Sequence, residues 1–149
     1  MMKDFYIYLS GGMSGLTVEQ QKKWRTQVRK AIEQRLYDTG QIVNPVFWSP
    51  PEYYPFIKDI NESYRKSERE VMEFDLNQVR KADLIIVNFN SPGSIGTAME
   101  LAVAREYRIP IIGLNKDHNE LHSWLTESCT RMCDDMYELV DHICNFYLL

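Results

Sequence analysis

The first apolar run, Phe5 to Leu9, is aromatic and β-branched and stops at Ser10-Gly11-Gly12, which predicts a short buried strand. Thr17 and Gln20 then form a capping box, and Trp24, Val28, Ile32 and Leu36 recur every four residues. A helix with one apolar stripe is therefore expected, ending before Gly40. Gln41 to Asn44 reads as a second short strand closed by Pro45. Residues 45 to 66 break the pattern. Pro45, Pro50, Pro51 and Pro55, interleaved with Phe47, Trp48, Tyr53, Tyr54 and Phe56, predict a long irregular loop of high aromatic density. A loop of that length in a small domain commonly serves function or an interface. Ser67 and Glu70 make a second capping box, opening a helix that runs to about Lys81. Leu84 to Val87 is a continuous apolar strand, Asn90-Ser91-Pro92-Gly93 a turn, Ile95 to Tyr107 a helix of small and apolar residues, and Ile109 to Leu114 a fourth strand. Leu121 to Thr126 is a candidate short helix. Asp135 to Tyr147 is amphipathic, with Met136, Leu139, Val140 and Ile143 on one side.

Strands alternating with helices imply an α/β fold: a single doubly wound, flavodoxin-like parallel sheet of four to five strands with helices on both faces. The expected strand order is 2-1-3-4, with a fifth strand a candidate near Met132. Ligands bind such sheets at the carboxyl ends of the strands, where the order reverses. Ser10 to Gly15 and Asn88 to Gly96 converge on that crevice, which makes Gly11, Gly12, Ser14, Asn88, Ser94 and Gly96 candidate substrate contacts.

Length and composition narrow the function. The 149 residues suit one domain spanning the chain, and 44% hydrophobic with 26% charged residues is a globular profile. A net charge of −4 without a basic cluster argues against a nucleic-acid polymer or an anionic membrane as partner. Apolar runs of about five residues cannot span a bilayer, and Phe5 to Leu9 is too short for a signal-peptide core. Cys129, Cys133 and Cys144 are odd in number and form no C-x-x-C, so reduced packing thiols in a cytoplasmic protein are expected.

Two carboxylates stand out against their surroundings. Glu100 is the only charge between Ile95 and Ala104, on an otherwise buried helix and near its N-terminus. A buried carboxylate needs partners or a purpose. A salt bridge to Arg105 or Lys81 and a catalytic role both fit. Asp75 shares the apolar face of its helix with Val71, Val79 and Ala82, while Glu68, Arg69, Glu73 and Lys81 point outward. Paired carboxylates beside a crevice suit glycosidic-bond chemistry, and two unrelated structural carboxylates fit the spacing equally well. Other constellations fail. The first loop is neither a Walker A nor a G-x-G-x-x-G loop, Gly93-Ser94-Ile95-Gly96 is one residue short of a nucleophile elbow, and His118 and His122 lack a zinc-binding order.

Taken together, Tyr8-Leu9-Ser10-Gly11-Gly12-Met13-Ser14-Gly15, Asp75-Leu76, Ala82 to Val87, Ser94 to Ala102 and Ile109-Pro110-Ile111 resemble, in order, the nucleoside 2-deoxyribosyltransferase family and its relatives, the deoxynucleoside 5′-monophosphate N-glycosidases. The resemblance implies that Glu100 is the nucleophile carrying a covalent deoxyribosyl intermediate, that Asp75 assists the leaving group, and that Tyr8 and Gly11 line the sugar pocket. It implies no metal or organic cofactor, a nucleoside and a free base as partners, and a homodimer or higher assembly in which Asn119 or Glu120 reaches a neighbour's site. The chain departs from the monophosphate-cleaving relatives at Gly12 and Ser14, where they carry serine and arginine, and near Glu120, where they carry serine. Ser94 matches those relatives, whereas the transferases have aspartate there. Transfer to another base is therefore expected, with hydrolysis of a nucleoside or nucleotide as the alternative and a non-catalytic nucleotide-binding sensor as a second one.

Overall fold

In the computed structural model, which describes residues 2–13, 15–51 and 68–149, five strands form one parallel sheet. They are β1 (Lys3–Gly11), β2 (Val43–Trp48), β3 (Leu84–Asn88), β4 (Ile111–Leu114) and β5 (Arg131–Cys133), in spatial order β2-β1-β3-β4-β5. The helices are α1 (Val18–Thr39), α2 (Glu68–Lys81), α3 (Ile95–Glu106), α4 (Ser123–Ser128) and α5 (Met136–His142), the last running into a π turn over Ile143–Tyr147. The doubly wound fold and the expected strand order are both present, and the fifth strand does contain Met132.

Side-chain alternation along the strands sorts the core into two layers. Ile7 and Leu9 of β1, Leu84 and Ile86 of β3, and Ile112 and Leu114 of β4 face α1 and α5, packing on Trp24, Val28, Ile32, Leu139 and Ile143. Tyr8, Ile85, Val87 and Ile111 face the other way, onto Val79, Leu101 and Ala104 of α2 and α3. The stripe Trp24-Val28-Ile32-Leu36 is buried as its spacing predicts. Thr17 caps α1 in a full capping box, and Gly40 ends it in the left-handed conformation with φ 80°.

The largest correction concerns β2. It starts at Val43 and continues through Pro45 to Trp48, so Pro45 does not close the strand and Phe47 and Trp48 do not belong to an irregular loop. Pro45 pairs in register with Phe5. Because β2 is the sheet's edge, a missing N–H there costs little, which is where a strand tolerates proline. Smaller shifts affect other ends, β1 running from Lys3 to Gly11 where Phe5 to Leu9 is the apolar run, and α3 ending at Glu106. β3 reaches Asn88, β4 begins at Ile111, and α4 starts at Ser123 with His122 Nδ1 accepting from the Trp124 N–H at 3.1 Å. Asp135 caps α5. Cys129, Cys133 and Cys144 are free thiols, with Cys133 at the end of β5. The rest of the aromatic segment and the Ser67 capping box lie outside the described residues. Among the described residues no helix is long and apolar enough to cross a membrane.

Candidate active site

Tyr8 and Ser10 stand two apart on β1, so both point to the face covered by α3. There they meet one side chain. The Tyr8 hydroxyl donates a short hydrogen bond to Glu100 Oε2, and Ser10 Oγ donates to Oε1 at 2.9 Å. Both donors are buried, whereas Glu100 as a whole keeps partial solvent contact. Those two hydroxyls, and neither Arg105 nor Lys81, hold the carboxylate. Glu100 also lies beyond the first turn of α3, which contains no acidic residue, so the helix dipole helps it less than its distance from the N-terminus suggested.

Burial dominates the titration of Glu100, lifting its pKa from 4.5 to about 7; the bonds from Tyr8 and Ser10 oppose that shift, nearby Asp75 adds to it, and Arg25 subtracts. A carboxylate with a raised folded pKa contributes stability that is complete below the unfolded value near 4.5 and lost as pH rises through about 7. The ionised form therefore costs the fold on the order of 3 kcal/mol above neutrality. Glu100→Gln, which keeps shape and can still bond both hydroxyls, is expected to melt several degrees above the parent at pH 8. That advantage should vanish by pH 4.5. Thermal melts across this range check it, and a gap that does not depend on pH would contradict the raised pKa.

Asp75 is buried on α2, close enough to act electrostatically on Glu100, so the structure brings the two inward carboxylates near one another. Next to Asp75 in α2, Phe74 meets Trp48 at the end of β2 with ring centroids 5.5 Å apart. Two buried participants are not among the residues that the sequence singles out. Ser10 opens the Ser10 to Gly15 segment expected at the crevice, and its parity with Tyr8 places its side chain on the Glu100 face. Arg25, 1% exposed on α1, reaches the opposite side of β1, its Nε donating to the Leu9 carbonyl at 3.2 Å and Nη2 to that of Gly11 at 3.3 Å. Its position three before Val28 places it on the apolar stripe, the same signal that marked Asp75 and Glu100.

The two loops at the switch point touch. A Cβ at Gly11 would lie 2.9 Å from the Trp24 ring and 3.3 Å from the Asn88 carbonyl. One at Gly12 would lie 2.3 Å from Ser91 Cβ, and the Gly12 N–H donates to Asn90 Oδ1 at 3.3 Å. The absent side chains are thus what lets the loops close on each other. Ser94 caps α3, its Oγ accepting from the Thr97 N–H at 3.2 Å and the Thr97 hydroxyl at 3.0 Å, while Gly96 is exposed one residue into the helix. Asn119 is half-buried, with its Nδ2 on the Phe89 carbonyl of its own chain at 2.9 Å; Glu120 is exposed. Ser14 lies outside the described residues. No group of three or more metal-ligating side chains occurs among the described residues.

The family model for nucleoside 2-deoxyribosyltransferase matches residues 7–143, a span that includes Tyr8, Ser10, Asp75 and Glu100. The chain belongs to that family. The fold is shared with a 2-deoxyribosyltransferase of Bacillus psychrosaccharolyticus, at 20% identity and a TM-score of 0.60, over 91% of this chain and 90% of that one. It is also shared with a 2-deoxyribosyltransferase of Leishmania mexicana, at 15% identity and a TM-score of 0.63, over 97% and 99% of the two chains. A CMP N-glycosidase of Clostridium botulinum has the same fold at 16% identity and a TM-score of 0.55, over 95% and 98%. A search of curated proteins gave no match. Within the nucleoside 2-deoxyribosyltransferase family, the pairing of Glu100 with two β1 hydroxyls is the geometric core of this member's crevice.

Proposed function

We propose that this nucleoside 2-deoxyribosyltransferase family member cleaves the N-glycosidic bond of a (deoxy)nucleoside through a covalent adduct on Glu100 and passes the sugar to a second base. The observation that carries this reading is the Glu100 carboxylate, deep in the switch-point crevice, with both oxygens held by hydroxyls and a second buried carboxylate nearby. One Glu100 oxygen attacks C1′, and the C1′–N bond breaks with its electron pair going to the departing base. Asp75 delivers the proton that makes the base a competent leaving group. Tyr8 and Ser10 orient the carboxylate and take up the charge that returns to it when the adduct breaks down. An acceptor base returns its N–H proton to Asp75 as it attacks the same carbon and the C1′–O bond to Glu100 breaks, which completes transfer with retention; the covalent intermediate divides one hard displacement into two easier ones. Water in place of the base gives hydrolysis, a reading favoured by Ser94, which caps α3 and leaves no carboxylate at that position to orient an acceptor. Gly12 provides no side chain for a 5′-phosphate, so the unphosphorylated nucleoside is the preferred substrate. Exposed Ile95, Met99 and Trp124, on α3 and the neighbouring α4, support at least a dimer.

Product analysis on a panel of deoxynucleosides and their 5′-monophosphates, with and without a second free base, tests the proposal. Base exchange is the expected outcome, with the nucleoside showing the higher kcat/KM. Free sugar regardless of added base moves the protein to hydrolysis. Binding without turnover would make it a sensor and overturn the mechanism.

A further inference from the structure

We propose that Arg25 is a positioning residue for this reaction, fixing from the far face of the sheet the backbone on either side of Ser10 and so aiming that hydroxyl at Glu100. The inference rests on the reading of Glu100 as nucleophile.

The geometry is unusual for a surface helix of an acidic protein. Burying a guanidinium is expensive and persists only where its donors are satisfied. Arg25 spends three of them on main-chain carbonyls: Nη1 on Gln21 in its own helix at 2.6 Å, Nε on Leu9 at 3.2 Å and Nη2 on Gly11 at 3.3 Å. Its Cζ lies 4.7 Å from the Trp24 ring centroid, and that ring in turn packs where a Gly11 side chain would be. The carbonyls of residues 9 and 11 turn toward Arg25, while residue 10, of opposite parity, turns its side chain to Glu100. A planar fork gripping both neighbours leaves Ser10 little freedom to rotate away. A structural anchor needs these donors too, since an apolar residue would leave the Leu9 and Gly11 carbonyls unpaired, so only effects on the reaction itself separate anchoring from positioning. Charge also matters to Glu100. Tyr8 and Ser10 from β1 bond it directly, Asp75 from α2 acts on it as a like charge, and Arg25, from the far side of β1, acts through space as a cation that favours the ionised carboxylate attack requires.

Fork and charge separate in two variants, assayed in the full-length protein on the best nucleoside of the panel. Arg25→Lys keeps the charge but cannot span both carbonyls. Its kcat should fall roughly tenfold, with KM and the acidic limb of the pH profile nearly unchanged. Arg25→Met loses both, so the acidic limb of kcat/KM should also move upward. Because Arg25 acts through Ser10, adding Arg25→Lys to Ser10→Ala should slow the enzyme by less than twofold beyond Ser10→Ala alone. Parental kcat in Arg25→Lys, or full additivity with Ser10→Ala, overturns the proposal, as does an unmoved acidic limb in a folded Arg25→Met protein. Should the methionine variant not fold, the lysine and double-variant results decide alone. Failure of the underlying reading is recognised separately, by a parent enzyme without turnover or with an adduct away from Glu100.

Discussion

Alanine at position 100 is expected to leave a folded protein whose turnover of nucleosides falls by at least roughly 10⁴-fold, the scale of losing a covalent nucleophile. The fold should survive because the carboxylate being removed is a liability to it near neutral pH, where burial opposes its charge. Loss of the acceptor for the buried Tyr8 and Ser10 hydroxyls offsets part of that gain, by about 1–3 kcal/mol each at most. The positive counterpart is trapping. A deoxynucleoside bearing fluorine at C2′ slows both formation and breakdown of an oxocarbenium-like transition state, and with a good leaving base the adduct accumulates. Mass spectrometry of the peptide containing Glu100 should then show the added sugar. An adduct on another residue, or near-parental activity in Glu100→Ala, would remove the mechanism.

Asp75→Asn should cost ~10²–10⁴-fold in rate, since the amide keeps the shape and hydrogen-bonding capacity of the side chain but cannot deliver a proton. It should also leave a signature in the pH profile. The two carboxylates titrate as a pair that holds one proton in the active form: Asp75, when ionised, pushes the Glu100 pKa up, so its removal lets Glu100 ionise at lower pH, and the acidic limb of kcat/KM should move downward. That direction is opposite to the one expected for Arg25→Met. A slower enzyme with a limb displaced downward identifies Asp75 as a proton donor acting beside the nucleophile. A change of less than a few-fold, with the limb in place, reassigns it to structure.

How far the sequence reveals this site depends on which kind of signal a residue leaves. Glu100 and Asp75 were legible because each interrupts an apolar stripe, and helical periodicity makes such an interruption visible without a structure. Arg25 interrupts the α1 stripe in the same way, but its neighbour Trp24 had already supplied the apolar member of that turn. Ser10 is legible only to an argument from strand parity, and the apolar run stops at Leu9, two residues before the strand ends at Gly11. β2 was cut short for a different reason. Proline breaks the interior of a sheet but not its edge, and whether a strand is an edge is a fact of tertiary order that local sequence does not contain. The partners of Glu100 could not be read from spacing along its own helix, because they arrive from a strand about ninety residues earlier.

The contact between Gly12 and Ser91 also bears on how substrate preference can change in this protein. A side chain at position 12 would sit 2.3 Å from Ser91 Cβ. No single replacement at position 12 can therefore add a hydroxyl there without displacing the opposite loop. Position 91 must become smaller or retreat in the same step, so any path to a side chain at that point of the crevice runs through paired changes. A laboratory library that randomises residue 12 alone would sample mostly damaged loops. One that randomises residues 12 and 91 together would reach combinations closed to either position by itself.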